Sequence, residues 1–127
     1  MVLAIIALTM LFVGPRFVGL RDGAAVRSAM ADLAGTFSTA RATAVARGTM
    51  AAVVIDAADG AVEVRVAGST VLRRDLGRAY GIVLWSNRDS TVYDPRGIGY
   101  GAANLSVTVR RGAFVDTLSM SRLGRIR

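Results

Sequence analysis

The sequence predicts an α+β fold: one long N-terminal helix packed on a small antiparallel β-sandwich. Two patterns carry this expectation. Apolar residues recur at helical spacing up to residue 47, and the remaining chain changes to period-two alternation broken by frequent turns. The length of 127 residues adds a bound, since it suffices for one small domain with one modest core.

The helix comes first. Residues 1–13, MVLAIIALTMLFV, are apolar except for Thr9, and Gly14 and Pro15 follow. The run is shorter than the ~20 apolar residues that span a bilayer. A secretory signal peptide is one reading of such a run. No basic residue precedes it, however, and Gly14-Pro15-Arg16-Phe17 provides no small-x-small cleavage site. A buried core helix is another reading, and the lack of any polar face weighs against it. Beyond the proline, Val26, Met30, Leu33, Phe37, Ala40 and Ala44 form one apolar stripe. Arg21, Arg27, Asp32, Arg41 and Arg47 fall mostly between those positions. Frequent Ala favours helix, and Gly48 after Arg47 is a stop signal with a cation in the last turn. Residues 1–47 are therefore expected to form one helix, bent near Gly14-Pro15 because proline deletes a backbone donor and crowds the preceding turn. Its length would be about 70 Å at 1.5 Å per residue, more than so small a body can cover. Residues 1–21 are expected to project into lipid or against other subunits, and 22–47 to pack on the body.

Residues 48–127 are expected to form the β-domain. MAAVVID at 50–56 is an apolar run of strand length, and Asp56-Ala57-Ala58-Asp59-Gly60 is a turn. AVEVRV at 61–66 alternates, with Val62, Val64 and Val66 on one face and Glu63 and Arg65 on the other. Residues 70–73 read as a short edge strand. IVLW at 82–85 is apolar on both faces, as a central strand would be, which places Trp85 in the core. TVYD at 91–94 follows a turn, and Pro95 with glycines 97, 99 and 101 marks a loop. NLSVTVR at 104–110 and AFVDTLSM at 113–120 read as a hairpin turning at Gly112. Six or seven short strands result.

Composition excludes several chemistries. The chain has no Cys, His, Lys or Gln; its 16 basic residues are all Arg, set against eight Asp and the single Glu63. Zinc sites of the Cys/His type, imidazole-dependent nucleophiles and lysine Schiff bases cannot be built. Asp56 and Asp59 share a turn, but two carboxylates are too few for a calcium site. The loop at 97–101 has the glycines of a nucleotide cradle but no helix pattern after it. No enzyme and no cofactor is expected. The net charge of +7 points to an acidic partner or surface.

The whole length of the chain resembles the GspH/FimT family of pilin-like minor pseudopilins. VLAIIAL at 2–8 is similar to the apolar heart of the pilin N-terminus, and Pro15 lies where such helices kink. Asp32-Leu33, Ala40-Arg41, Ala44 and Arg47-Gly48 resemble the family's pattern at the helix end. Tyr93-Asp94-Pro95-Arg96-Gly97 resembles its aromatic-x-Pro-x-Gly element, and Gly124-Arg125-Ile126-Arg127 its closing GRxR. Family precursors begin with a basic leader ending in Gly and a Phe-Thr-Leu-type start with Glu just before the apolar run. None of these stands here, so the natural protein is expected to extend upstream of Met1.

The resemblance implies a pilin-like fold and a structural role in filament assembly. Val2, Leu3, Ile5, Ile6, Leu8, Leu11, Phe12 and Pro15 would form the part of the helix that sits in the inner membrane and then packs on other pilin or pseudopilin subunits. The single-pass subunit would hold its β-domain in the periplasm or on the filament of a type II secretion pseudopilus or type IV pilus. By charge alone, Arg16, Arg21 and Arg27 would hold that side in the cytoplasm; the family places it outside. A competing role, also implied by the resemblance, is DNA uptake through GRxR. Arg122, Arg125 and Arg127, with Gly124 easing the backbone, could grip DNA backbone phosphates bidentately without reading sequence. Arg110 and Arg111 at the neighbouring hairpin tip would extend that patch. A solvated basic tail is the plainer reading. Tyr80, Trp85, Tyr93 and Tyr100 are candidate base-stacking residues, Trp85 being read as core and Tyr100 as the one expected at the surface.

Overall fold

Helix α1 runs Val2–Arg47 and continues through Gly14 and Pro15 as helix. The computed structural model describes residues 2–100, 104–121 and 126–127, with side chains from residue 19 onward, Tyr100 excepted. Gly48 ends the helix in the left-handed region at φ 60°, where its N–H reaches the Val45 carbonyl and that of Thr49 reaches the Ala44 carbonyl. Glycine adopts this conformation without a Cβ penalty. The stop expected at Gly48 is thus where the helix ends.

The chain continues as β1 (Ala51–Asp56), β2 (Ala61–Val66), β3 (Ser69–Asp75), α2 (Leu76–Tyr80), β4 (Val83–Ser86), β5 (Ser90–Tyr93), β6 (Gly99–Tyr100), β7 (Leu105–Arg111) and β8 (Phe114–Met120). The strands form two antiparallel sheets, ordered β3-β2-β1-β5-β6 and β4-β7-β8. Register follows the apolar alternation. Val53 faces Val64 and Ile55 faces Val62, so both strands turn the same side to the core. Glu63 and Arg65 lie on the outer side, as expected. The β2–β3 turn places Ala67 and Gly68 at φ 52° and 79°, the pair of positive values that a tight two-residue hairpin needs.

Both sheets close on the stripe of α1. Val26, Leu33, Phe37, Ala40 and Ala44 are buried, joined by Ala29, while Met30 packs at the margin. They meet Val53, Ile55, Val62 and Val64 from the first sheet and Leu105, Val107, Val109, Leu118 and Met120 from the second. This is the pilin-like α+β architecture that the sequence predicts.

Two local expectations are corrected, and one element goes unread in the sequence. Residues 76–80 form α2, a single turn too short to carry a helical period; its sequence signals are Asp75 at the start and Gly81, left-handed at φ 63°, at the end. Gly99–Tyr100, expected as loop, pairs with Val92 and Tyr93 as β6. Strand β4 is not central: it lies at the end of its sheet with β7 as neighbour. Leu84 is buried, but Val83 is 66% and Trp85 59% exposed. An apolar residue on each face does not distinguish a central strand from an outer strand whose apolar side meets solvent.

Candidate functional site

The features that set the subunit's working geometry lie where α1 leaves the body. The Cβ position of Gly23 is 3.1 Å from the Phe114 ring, and that of Gly19 is 4.0 Å away. Two glycines one turn apart thus form a shallow seat for the aromatic ring at the start of β8. Beside it, the Arg111 guanidinium bridges the Asp22 carboxylate at 2.8 Å and donates to the Tyr80 carbonyl at 2.5 Å. Farther along the helix the Tyr80 hydroxyl donates to Asp32 at 2.5 Å. Accepting that hydrogen bond, the Asp32 carboxylate pushes the Tyr80 phenol above its ordinary value. Asp22 and Asp32 therefore tie α1 to α2 and β7. The sequence reading missed both ties. Asp22 stands one turn before Val26, the first residue of the apolar stripe, and that spacing was the available signal.

At the other end, the Tyr93–Gly97 element forms a turn against the helix. Asp94 is buried and accepts from the backbone N–H groups of Arg96 at 2.9 Å and Ile98 at 3.0 Å, and from the Arg96 guanidinium at 2.8 Å. The Ile98 N–H, assisted by Arg96, holds the Asp94 carboxyl below the ordinary carboxylate value. Gly97, at φ 78°, brings the turn against Arg41 and Val45, its Cβ position lying 3.1 Å from each. Tyr93 is wholly buried, its hydroxyl has no hydrogen-bond partner among the described residues, and burial pushes the phenol up to about 12. It is a core residue and presents no ring for base stacking. Because the Asp94 carboxyl is depressed, its stabilisation is complete above the unfolded value near 4 and is lost as pH falls through the folded value. Asp94→Asn is expected to be less stable than the parent at pH 7, with the gap narrowing below about pH 4. Urea unfolding of both chains across that range checks this.

The arginines singled out in the sequence have separate places. Arg122, Gly124 and Arg125 lie outside the described residues. Arg127 is exposed, and its backbone exchanges two hydrogen bonds with Ser119, at 2.8 and 2.9 Å. Ile126 forms an isolated antiparallel bridge with Met120, so the chain end lies beside β8. Ser119 pairs with Ser106, which places Arg127 about 17 Å along the sheet from Arg111 at the strand rise of ~3.4 Å per residue. The hairpin tip does not adjoin Arg127. Arg111 is also engaged by Asp22, while exposed Arg110 makes a long 3.4 Å bond to the Gly112 carbonyl. Elsewhere, Arg73 and Arg65 are bound to Glu63, which they hold below its ordinary value, Arg73 foremost.

The remaining candidates resolve simply. Trp85 is an exposed residue and not a core one. The Tyr100 side chain lies outside the described residues. Asp59 donates its N–H to the Asp56 carboxylate at 3.2 Å, the ordinary geometry of an aspartate turn. Among the described residues no cluster of carboxylates could hold a metal. Val2, Leu3, Ile5, Ile6, Leu8, Leu11, Phe12 and Pro15 all lie in α1, and their side chains fall outside the described ones. Among the described residues no helix is long and apolar enough to cross a membrane.

Comparison with known proteins places this geometry. The family model described as type II transport protein GspH matches residues 29–124. No curated protein matches the chain. Two crystal structures of the type IV minor pilin FimU from Pseudomonas aeruginosa PAO1 share the fold. The form in space group P21 superposes with a TM-score of 0.68 at 17% identity, covering 80% of this chain and 86% of that one. The form in P65 superposes with a TM-score of 0.65 at 15% identity, covering 80% and 90%.

Proposed function

Since the chain belongs to the GspH family of type II transport proteins, we propose that it serves as a minor pilin or pseudopilin, a non-enzymatic subunit that joins a filament through the N-terminal half of α1. The observation that carries the reading is the mismatch between helix and body. Helix α1 has 46 residues, about 69 Å at 1.5 Å per residue. Its stretch from Gly23 to Ala44, which holds the buried residues of α1 among those described, accounts for only about 32 Å. Ahead of Gly23 remains about 30 Å of helix, comparable to a bilayer's hydrocarbon core, and its first part is the apolar run. Such a rod suits two successive environments: the inner membrane before assembly, then neighbouring helices in a filament. The body would then lie in the periplasm or on the filament. A type II secretion pseudopilus and a type IV pilus both fit this role.

Ile6→Arg tests the helix role. A charge at the centre of an apolar span costs about 3 kcal/mol, so the variant is expected to leave the membrane fraction by roughly 100-fold and to fail to restore assembly in a deletion strain. Equal membrane retention and equal assembly would contradict the proposal. Loss of secretion in the deletion strain would assign the pseudopilus; loss of surface pili would assign the pilus.

A second reading, DNA capture by the GRxR ending, draws support from the strand pairing of Arg127, which holds that end of the chain in a defined place. Gel-shift titration of the full chain at rising salt tests it. Arg125→Ala with Arg127→Ala is expected to weaken binding and to lower the salt slope by about two. Unchanged binding in the double variant would remove the role assigned to the motif.

A further inference from the structure

The exposed apolar residues of the body are unevenly placed. Among the described residues eight large hydrophobic side chains are exposed: Leu20, Val45, Met50, Val71, Val83, Trp85, Phe114 and Val115. Five of these gather at the end from which α1 departs. Phe114 packs one side of its ring on Gly19 and Gly23 and remains 42% exposed, and Leu20 beside it is 67% exposed. Register builds the rest. Val115 pairs with Arg110, and Arg110 pairs with Val83, so the three side chains form one row across the outer face of the β4-β7-β8 sheet. Trp85, with Thr108 and Thr117, forms the next row, about 7 Å farther back.

Positive charge is in excess at this end. Asp22 is neutralised by Arg111. Arg21 and Arg110 are exposed and have no carboxylate partner among the described residues. Asp116, an exposed carboxylate, stands between Val115 and Thr117 on β8 and so projects from the opposite face of that strand, the helix-side face that also carries Phe114. It also accepts from the Thr117 N–H. The outer rows therefore carry valine, tryptophan, threonine and arginine without an acid.

We propose that this end of the body is a second lipid contact, an apron of Leu20, Val83, Trp85, Phe114 and Val115 with Arg21 and Arg110 that rests on the headgroups of an anionic bilayer. The inference depends on the membrane role of α1 proposed above and extends it from the helix to the body. Three arguments select this occupant. Leu20 and Phe114 lie where the chain passes into the apolar helix, and the outer rows stand on the other face of the same end of the sheet, so a membrane holding that helix meets the sheet end from both sides. Tryptophan suits the headgroup level, where its ring meets apolar chains and its N–H meets water. Unpaired arginines beside it match anionic lipid, each contributing about fivefold in affinity near such a surface. A second copy of the chain is a poorer occupant, because two such faces would bring unpaired arginines together on molecules of charge +7. The apron would set how the body sits before the subunit is extracted into a filament.

Trp85 is the one tryptophan of the chain and reports directly on this contact. The full chain would be reconstituted into phosphatidylcholine vesicles and into 3:1 phosphatidylcholine–phosphatidylglycerol vesicles, with a spin label at headgroup depth. Flotation of the same samples reads the helix anchor independently. In anionic vesicles the Trp85 emission is expected to shift to the blue and to be quenched by the label. Quenching should fall at least about twofold in Val83→Asp with Val115→Asp, both exposed positions, with flotation unchanged. Arg21→Ser with Arg110→Ser should remove the difference between the two lipid compositions. Flotation with Trp85 emission still that of a water-exposed ring would overturn the apron and leave the anchor standing. Failure to float would remove both. A blue shift that rises with protein concentration in the absence of lipid would assign the face to a second copy and overturn the lipid contact.

Discussion

Phe37→Ala is expected to cost about 3–5 kcal/mol of stability, the largest loss from any single truncation in the helix. Phe37 has no exposed surface and belongs to the cluster in which α1 meets both sheets. Truncation removes the ring's transfer energy and leaves a cavity that helix and strands cannot both move to fill. A domain of this size has about 5–15 kcal/mol in total, so about a fifth or more of the stability goes with one side chain. Urea unfolding should show a lower midpoint with an unchanged slope. Ser28→Ala, at an exposed position of the same helix, is the control and should change stability by less than about 0.5 kcal/mol. A Phe37→Ala loss as small as the control's would mean that the α1 stripe is not what joins helix to sheets. The consequence for assembly follows from the same packing. The body stays on its rod through this stripe, so the variant is expected to keep its membrane helix while losing a folded body, which protease sensitivity of membrane-bound protein would reveal.

Gly60→Ala is expected to be nearly as damaging although it adds a single methyl group. Gly60 sits at φ 66°, and a Cβ there would lie 2.9 Å from the Gly77 Cα. The Gly77 N–H donates to the Gly60 carbonyl at 2.9 Å, so the two backbones are held in contact. The left-handed conformation costs a residue with a side chain roughly 1–2 kcal/mol, and displacing α2 from the β1–β2 turn adds about 1–3 kcal/mol. The expected total is about 2–5 kcal/mol by urea unfolding. Gly68→Ala, also at positive φ but with open space around its Cβ position, isolates the conformational part and should show the smaller loss. Equal losses at both sites would mean that contact with Gly77 contributes nothing.

Legibility in the sequence followed the range of the interaction. The stripe from Val26 to Ala44, the stop at Gly48 and the inward valines of β2 were all readable, because each depends on neighbours a few residues away along the chain. The helix α2 was not, since five residues carry no period and its place is set by contact with the distant Gly60. Trp85 was assigned to the core for a related reason. An apolar strand shows that both faces can be dry, but whether they are depends on what the other elements cover. Among the arginines, the sequence placed Arg110 and Arg111 near the terminal cluster. The pairing of Ser119 with both Ser106 and Arg127 separates them from Arg127, and Asp22, far away in sequence, engages Arg111.

By itself the sequence determined the kind of protein: an apolar rod running into an amphipathic helix, then alternating strands, in the order of a pilin-like subunit. These follow from periodicity and composition, which local sterics and the hydrophobic effect convert directly into elements and faces. Only the tertiary structure decided which faces remain in water and which charges remain unpaired. Those outcomes depend on register and packing between residues far apart in the chain. They place Trp85 outside, Arg111 in a bridge to the helix, and an apolar, arginine-bearing rim where that helix leaves the body.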